Sequence, residues 1–239
     1  MRTQAVFLDL DATLLDYPRP AWEESVRAVA AGLPLPDGVD RERLALVYTE
    51  VSTRHFLAAE QTGEAPADGH GIWRELWREA LAEFGCGDDG LAELAVTTYE
   101  IARAAGYRLY ADVLPTLAEL RQRVSALVLI TNGPGTTQRH KADALGLDAL
   151  LDAVIVSGEV GVSKPDPGIF EIAGRAAGVP LAAAWHVGDS LASDVAGAAN
   201  ARLGAGVWLN RSGATRPDGA PRPDYEIGSL RDLSGLLDR

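Results

Sequence analysis

The sequence predicts an α/β fold: a doubly wound, Rossmann-like parallel sheet with an inserted all-helical domain. Two observations predict it. Short apolar runs without polar alternation, typical of strands buried on both faces, recur between segments with helical spacing. Between the first of these runs and the second lies a stretch with helical spacing only, roughly the size of a small domain. A chain of 239 residues, 47% of them apolar, can bury a full core.

The first strand is predicted at residues 5–8, Ala-Val-Phe-Leu, and its end is abruptly acidic. Asp9 and Asp11 follow the strand directly, and no basic neighbour in sequence neutralises them. Open α/β sheets place their ligands at the carboxyl ends of their strands. A divalent cation is the simplest partner for two carboxylates at such a position.

Residues 17–109 contain no strand-like run. Helical spacing extends over 22–33, 43–59, 72–84 and 91–105, with Pro- or Gly-rich breaks at 34–38, 62–66 and 85–87. We therefore assign residues 17–109 to a helical domain, and residues 1–16 and 110–239 to the core. We expect Trp22, Phe56, Trp73 and Trp77 to pack inside the helical domain, and Arg54, His55, Arg74 and Arg78 to lie on a solvated face that could reach a substrate.

From residue 112 onward, helices and strands alternate with short loops, which indicates a parallel sheet. The predicted helices lie at 113–123, at 142–145 with Thr136 or Thr137 as the cap, and at 169–177, 191–202 and 230–237. The predicted strands lie at 126–130, 153–156, 182–187, 205–209 and 225–227. Residues 161–167 and 210–223 are expected to form loops.

The charge balance excludes some partners. Lys and Arg number 22 against 34 Asp and Glu, a net charge of −12, which repels nucleic acids and anionic membranes. The single cysteine, Cys86, cannot form an intramolecular disulfide and fits a reducing compartment. No leader-like or membrane-length apolar run is present, so we expect a cytoplasmic protein, monomeric or homodimeric.

Several predicted strands deliver polar residues at their ends. In chain order these are Asp9 with Asp11, Thr131 with Asn132, Lys164 in the loop after the next strand, and Asp189 followed by Asp194. Parallel strands put their carboxyl ends on one edge of the sheet, so these groups can converge although they lie far apart in sequence. We expect one site at that edge.

These residues also carry a family resemblance. Asp9-Leu10-Asp11-Ala12-Thr13-Leu14, the strand ending Thr131-Asn132-Gly133, the block from Gly161 to Pro167 with Lys164, and His186 to Asp189 continuing through Asp194 to Ala198 resemble the four motifs of the haloacid dehalogenase-like (HAD) hydrolases, in the right order. The resemblance covers the whole chain, because the helical stretch resembles the inserted helical cap of that superfamily. It implies that substrate choice lies in this cap.

The resemblance implies a role for each acid. Asp9 would be the nucleophile that forms an aspartyl-phosphate, dividing one difficult displacement into two. Asp11 would be the general acid and then the general base. Mg²⁺ would be held by the Asp9 side chain, the Asp11 backbone carbonyl and Asp189, with waters completing its shell.

The remaining motif residues would bind the phosphate or support the site. Thr131 and the amides of Asn132 and Gly133 would hold phosphate oxygens, and Lys164 would balance the charge that gathers around the transferring group. Asp194 would support the site from behind its ligands or cap its own helix.

One position departs from the motif, because Ala12 stands where this superfamily usually has glycine. If that position needs a positive φ, the methyl group costs about 1 kcal/mol of strain.

The function predicted from these residues is a Mg²⁺-dependent phosphomonoesterase acting on a small phosphorylated metabolite. Within that superfamily, three segments resemble most the subgroup of nucleoside 5′-monophosphatases and N-acylneuraminate 9-phosphatases: Thr131-Asn132-Gly133, Gln138-Arg139-His140-Lys141 and residues 157–170. Three alternatives stay open: a haloacid dehalogenase, a phosphosugar mutase of the same fold, and a non-catalytic phosphate-binding protein. The dehalogenases need no metal and lack the second aspartate of the first motif, so Asp11 argues against the first of these.

Overall fold

The structure is a computed structural model that describes residues 3–62 and 68–237. Contacts divide the chain into two compact units, one made of Met1–Asp16 with Arg108–Arg239 and the other of Tyr17–Tyr107. We refer to them as the core unit and the helical unit. Over the residues described, the structure contains no helix both long and apolar enough to cross a membrane.

The strands of the chain are β1 Ala5–Leu8, β2 Leu15–Asp16, β3 Arg108–Leu109, β4 Ala126–Thr131, β5 Ala153–Val156, β6 Ala184–Gly188, β7 Ala205–Leu209 and β8 Tyr225–Ile227. The core unit is built on six parallel strands in the order β5-β4-β1-β6-β7-β8. Every residue of β1, β4 and β7 is buried, as expected for strands covered by helices on both faces. The predicted parallel sheet is confirmed, and β1 lies at its centre between β4 and β6.

Ten α-helices are described. They are α1 Arg19–Gly32, α2 Arg41–Thr62, α3 Gly69–Ala82, α4 Asp89–Gly106, α5 Val113–Leu120, α6 Gly135–Ala144, α7 Ser157–Val160, α8 Pro167–Ala177, α9 Ala196–Asn200 and α10 Asp232–Leu236. The first four form the helical unit, where four helices were predicted. One π-helical turn, Leu191–Val195, runs directly into α9.

Aromatic side chains fill the core of the helical unit. Trp77 stacks on Tyr48 with ring centroids 4.0 Å apart, and Tyr99 packs edge-on against both rings. Trp73 and Trp77 are buried, and Trp22 is partly buried against the same cluster, so the prediction for these three tryptophans is confirmed. The side chain of Phe56 and the predicted break after residue 62 lie outside the described residues.

Some predicted details are wrong. Neither Thr136 nor Thr137 caps α6, because that helix already begins at Gly135. Its N-cap residue is Pro134, whose side chain forms no capping hydrogen bond. The pattern also missed α7 and the antiparallel pair β2–β3. Two-residue strands are too short to show a period in sequence, since apolar alternation needs about four residues to be visible.

The 210–223 stretch, predicted as a surface loop, begins with a half-buried arginine that anchors it. Arg211 donates to both Asp112 carboxylate oxygens, at 2.8 and 3.0 Å, and to the Thr13 carbonyl at 2.9 Å. Asp112 also accepts from the Ser229 hydroxyl and from the Leu230 N–H. The Arg211 guanidinium therefore connects the loop after β1, through the Thr13 carbonyl, to the carboxyl-terminal part of the core unit.

Candidate functional site

The site lies at the carboxyl ends of β1, β4 and β6. Asp9 follows β1 directly, is 7% exposed, and donates its backbone N–H to the Val187 carbonyl on β6 at 3.0 Å. Asp11 lies two residues further on and forms an isolated β-bridge with Leu15. Ala12 has a φ of +58°, the conformation in which a methyl group is strained by about 1–2 kcal/mol. Ala12 therefore adopts the positive φ that glycine would adopt without strain.

Lys164 connects the buried groups of the site. Its Nζ donates to Asp9 Oδ1 at 2.6 Å, to Asp194 Oδ1 at 2.7 Å and to the Ile130 carbonyl at 2.9 Å. An ammonium group has three donors, and all three have an acceptor here. Lys164 is 4% exposed, so it is a buried bridge between two carboxylates rather than a solvated loop lysine.

The Asn132 side chain holds Lys164 through the backbone. Its Nδ2 donates to the Lys164 carbonyl at 2.9 Å, and its Oδ1 accepts from the Lys164 N–H at the same distance. This reciprocal pair ties the end of β4 to the loop before α8. The structure therefore gives Asn132 a positioning contact that the motif did not predict.

Asp194 is buried behind the site and fully bonded. Its Oδ1 accepts from Lys164 and from His186 Nε2 at 2.8 Å, and its Oδ2 accepts from the Ser190 N–H at 3.0 Å. Gly188 makes room for this carboxyl group, because a Cβ at that position would lie 2.2 Å from Asp194 Cγ. The glycine that ends β6 is thus required by packing.

Burial and charge set the protonation of this cluster. Burial raises the pKa of Asp9 and repulsion from Asp194 adds to it, while Lys164 opposes the shift. Although burial alone would raise it, the ammonium of Lys164 and the bond from His186 hold the pKa of Asp194 well below its usual range. Desolvation, followed by repulsion from Asp194, raises the pKa of Asp189 to about 6. A proton entering the cluster therefore goes to Asp9 or Asp189 before Asp194.

Three carboxylates of this site could hold a metal ion. One oxygen each from Asp9, Asp189 and Asp194 lie within 4.8 Å of one another. A set of carboxylate oxygens is what a hard divalent cation prefers. The donor set fits Mg²⁺.

Asp11 has a separate set of partners, on α6. Lys141 Nζ donates to both of its carboxylate oxygens, at 2.7 and 2.8 Å, and Gln138 Nε2 donates to Oδ2 at 2.9 Å. The same Gln138 amide donates to Thr131 Oγ1 at 2.5 Å. Lys141 is 7% exposed. The sequence motifs assign no role in the site to Lys141 or Gln138, although their spacing of three puts both on one face of a helix.

The remaining phosphate-binding candidates lie at the end of β4. Thr131 is buried and accepts the bond from Gln138. Gly133 has a φ of +141° and donates its N–H to Ser157 Oγ at 2.9 Å, so this amide is engaged in the structure. A phosphate oxygen at Gly133 would take the place of that hydroxyl.

In the helical unit, the arginines singled out from the sequence have acidic partners. Arg54 pairs with Glu79 at 2.5 Å, and both Arg74 and Arg78 pair with Glu75. These pairs are on the surface, where each contributes little to stability. A substrate group that bound one of these arginines would compete with its glutamate.

Replacing Lys164 should destabilise the fold, because Asp9 and Asp194 would then face each other without the cation between them. We expect Lys164→Met to lower the free energy of unfolding by about 3–5 kcal/mol at neutral pH. The loss should be larger at pH 9 than at pH 6, because burial raises the pKa of Asp9 and Lys164 no longer opposes that shift, so a falling pH protonates Asp9 and removes its repulsion with Asp194. Urea denaturation measures both values.

The matched control for Lys164→Met is Arg175→Met, an exposed position on α8, which should stay within about 0.5 kcal/mol of the wild type. A Lys164→Met protein as stable as this control would contradict the bridging role.

A family model for the haloacid dehalogenase-like hydrolases matches residues 3–202. The N-acylneuraminate-9-phosphatase of Rattus norvegicus is 32% identical over 241 residues, which cover 99% of this chain and 94% of the relative. The phosphoserine phosphatase of Thermus thermophilus is 36% identical over 251 residues, which cover 95% of this chain and 96% of the relative.

Two solved structures show the same fold. The HAD-hydrolase YfnB of Bacillus subtilis, bound to magnesium, has a TM-score of 0.74 at 23% identity, with 100% of both chains covered. A 2-haloacid dehalogenase of Pseudomonas syringae has a TM-score of 0.70 at 28% identity, with 99% of both chains covered. The family match extends over most of the chain and includes every residue of the site described above. This chain therefore belongs to the haloacid dehalogenase-like hydrolases.

Proposed function

We propose that this hydrolase is a Mg²⁺-dependent phosphatase that cleaves a small phosphorylated metabolite through an aspartyl-phosphate on Asp9. The observation that carries the proposal is the Asp9 carboxylate, which lies at the end of the central strand against Lys164, within the carboxylate cluster of Asp189 and Asp194. The relatives reported above are named as phosphatases, which supports phosphate esters as the substrate class.

Asp9 carries out the first half of the reaction. Its free carboxylate oxygen forms a bond to phosphorus while the bond from phosphorus to the ester oxygen breaks. Asp11, protonated at this stage, gives its proton to the departing oxygen. The product alcohol leaves and the phosphoryl group stays on Asp9. Lys164 keeps the other Asp9 oxygen in place at 2.6 Å during the attack.

Asp11 acts again in the second half. It takes a proton from the attacking water, whose oxygen bonds to phosphorus as the bond to Asp9 breaks and phosphate is released. In the structure Lys141 and Gln138 donate to both Asp11 oxygens, which orients the ionised form that accepts the proton. In the first half of the reaction, the Asp11 oxygen that carries the proton no longer accepts from Lys141. Thr131, Asn132 and Gly133 are the candidates for contact with the phosphate oxygens.

Asp9, Asp189 and the Asp11 backbone carbonyl would hold Mg²⁺, with Asp194 behind them. A metal ion there would offset the repulsion between an anionic nucleophile and an anionic phosphate. The cluster of three carboxylates supports this assignment over a dehalogenase, whose reaction needs no metal. The presence of Asp11 supports it as well, because a carbon–halogen displacement has no leaving oxygen to protonate.

Asp9→Asn should abolish turnover and leave the fold intact, because the amide has nearly the same shape and cannot attack phosphorus. We expect phosphate release to fall by at least about 10³-fold. Phosphate release from a panel of phosphorylated metabolites measures the activity, and circular dichroism controls for folding. Turnover within tenfold of the wild type would exclude the covalent route.

Removal of divalent cations should stop the reaction. With a chelator present we expect phosphate release to fall to background, and added Mg²⁺ should restore it. The same titration with Asp189→Asn should require a higher Mg²⁺ concentration for half-maximal activity, since one anionic ligand is lost. Full activity in chelator would favour a metal-free reaction and contradict the proposal.

Lys141→Met should affect esters with poor leaving groups most, because Lys141 positions the acid that protonates the leaving oxygen. We expect kcat/KM for an alkyl phosphate to fall about 10²-fold, and kcat/KM for p-nitrophenyl phosphate to fall much less. The constant kcat/KM reports only the steps up to the departure of the alcohol, so the later hydrolysis of the aspartyl-phosphate does not mask the effect.

The control for Lys141→Met is His140→Ala, an exposed position on the same helix, which should change neither substrate. If Lys141→Met reduced both substrates by the same factor, its contact with Asp11 would be structural only.

A further inference from the structure

His186 is a buried imidazole inside β6 that the proposed reaction does not use. It lies between Phe7 of β1 and Gly206 of β7 in the sheet, and it is 1% exposed. The Phe170 ring packs edge-on against the imidazole, with ring centroids 5.1 Å apart. A polar ring in such surroundings costs free energy unless it forms a hydrogen bond. Its Nε2 forms one with Asp194 Oδ1, at 2.8 Å.

The direction of this hydrogen bond follows from the charge of Asp194. Although burial alone would raise it, Lys164 and His186 hold the pKa of Asp194 well below its usual range, so the carboxylate is ionised and can only accept. His186 Nε2 is therefore the donor. Burial lowers the pKa of the imidazole, while the bond to Asp194 opposes the shift, so the ring donates as a neutral group and adds no net charge to the cluster.

His186 and Lys164 donate to the same oxygen of Asp194. Lys164 Nζ lies 2.7 Å from Asp194 Oδ1 and 2.6 Å from Asp9 Oδ1, so two carboxylates compete for one ammonium group. A hydrogen bond to a carboxylate stabilises its negative charge and makes it a weaker base. The bond from His186 therefore weakens the attraction of Asp194 for Lys164, and more of the positive charge is available to Asp9.

We propose that His186 is a positioning residue that keeps Lys164 on Asp9, acting through Asp194. In the aspartyl-phosphate the Asp9 oxygen beside Lys164 has lost most of its negative charge, and Asp194 then attracts the ammonium more strongly. The bond from His186 limits that attraction, so Lys164 is in place when the charge returns to Asp9 as phosphate is released. The effect on turnover rests on the proposed phosphatase function, whereas the effect on Lys164 does not.

Two substitutions that differ by one donor test this role. In His186→Gln the amide nitrogen is as many bonds from Cβ as the imidazole Nε2, so it can donate to Asp194. In His186→Met a methyl group takes that place. With p-nitrophenyl phosphate at saturating Mg²⁺, we expect His186→Met to lower kcat about 10- to 100-fold, the usual loss for a group that orients an active-site residue. KM should stay within about threefold, because only the transition state is affected. His186→Gln should keep kcat within about fivefold of the wild type.

NMR of the lysine side chains gives a readout that does not depend on turnover. The chain contains only two lysines, Lys141 and Lys164, so isotopically labelled lysine gives two sets of signals, which Lys141→Met assigns. In the metal-free protein, His186→Met should shift the Lys164 signal and leave the Lys141 signal in place. His186→Gln should leave both signals close to their wild-type positions, because its amide replaces the donor.

The matched control is Thr116→Val, which removes a buried hydroxyl that has no hydrogen-bond partner among the described residues. It should change neither kcat nor the lysine signals. Thermal unfolding shows whether each variant is folded. If His186→Met does not fold, His186→Asn takes its place, since its amide is one bond too short to reach Asp194.

The outcomes separate this role from the proposed function. Folded methionine and glutamine variants with equal kcat, whether unchanged or equally reduced, overturn the positioning role, while phosphate release by the wild type leaves the phosphatase intact. If the wild type cleaves no ester with Mg²⁺ present, the phosphatase proposal fails. The lysine signals then decide the role of His186. A Lys164 signal that moves in His186→Met but not in His186→Gln supports it, and a signal that behaves alike in both variants overturns it.

Discussion

The bridge from Lys164 to Asp9 and Asp194 is the interaction on which the core unit depends. It joins the end of β1, the loop before α8 and the π-helical turn after β6, three segments far apart in the chain. A buried ammonium with three acceptors can hold two carboxylates that would otherwise repel each other. The same bridge leaves the cluster short of positive charge, because two acids share one cation and Asp189 stands beside them. The carboxylates that Lys164 holds together thus belong to the cluster that could hold a metal ion.

Small side chains and backbone constraints allow these charged groups to approach. Gly188 leaves the space that the Asp194 carboxyl occupies, and Ala12 tolerates a left-handed conformation so that the loop can turn immediately after Asp11. Arg211 fastens that loop through the Thr13 carbonyl while it neutralises Asp112. The strain at Ala12 is about 1–2 kcal/mol. The buried contacts of Lys164 and the buried apolar strands of the sheet can offset it.

The charged side chains have different surroundings in the two units. In the core unit Lys164 lies buried between Asp9 and Asp194, where desolvation makes each contact strong. Lys141 is also buried, but the Asp11 side chain that it contacts is half exposed. In the helical unit most arginines pair with glutamates in water, where such pairs contribute little. Arg103 is unlike both groups, because aromatic rings rather than acids surround it.

The sequence by itself determined the parallel sheet, the four long helices of the helical unit, and Asp9, Asp11, Lys164 and Asp189 as the residues of interest. Apolar runs and acidic strand ends are local patterns, and parallel strands bring their ends together by topology alone. Only the tertiary structure decided that Lys141 and Gln138 face Asp11, that Asn132 clasps Lys164, and that Arg103 has aromatic neighbours instead of an acid. These contacts join residues up to 130 positions apart through side-chain reach and packing, which no local periodicity records.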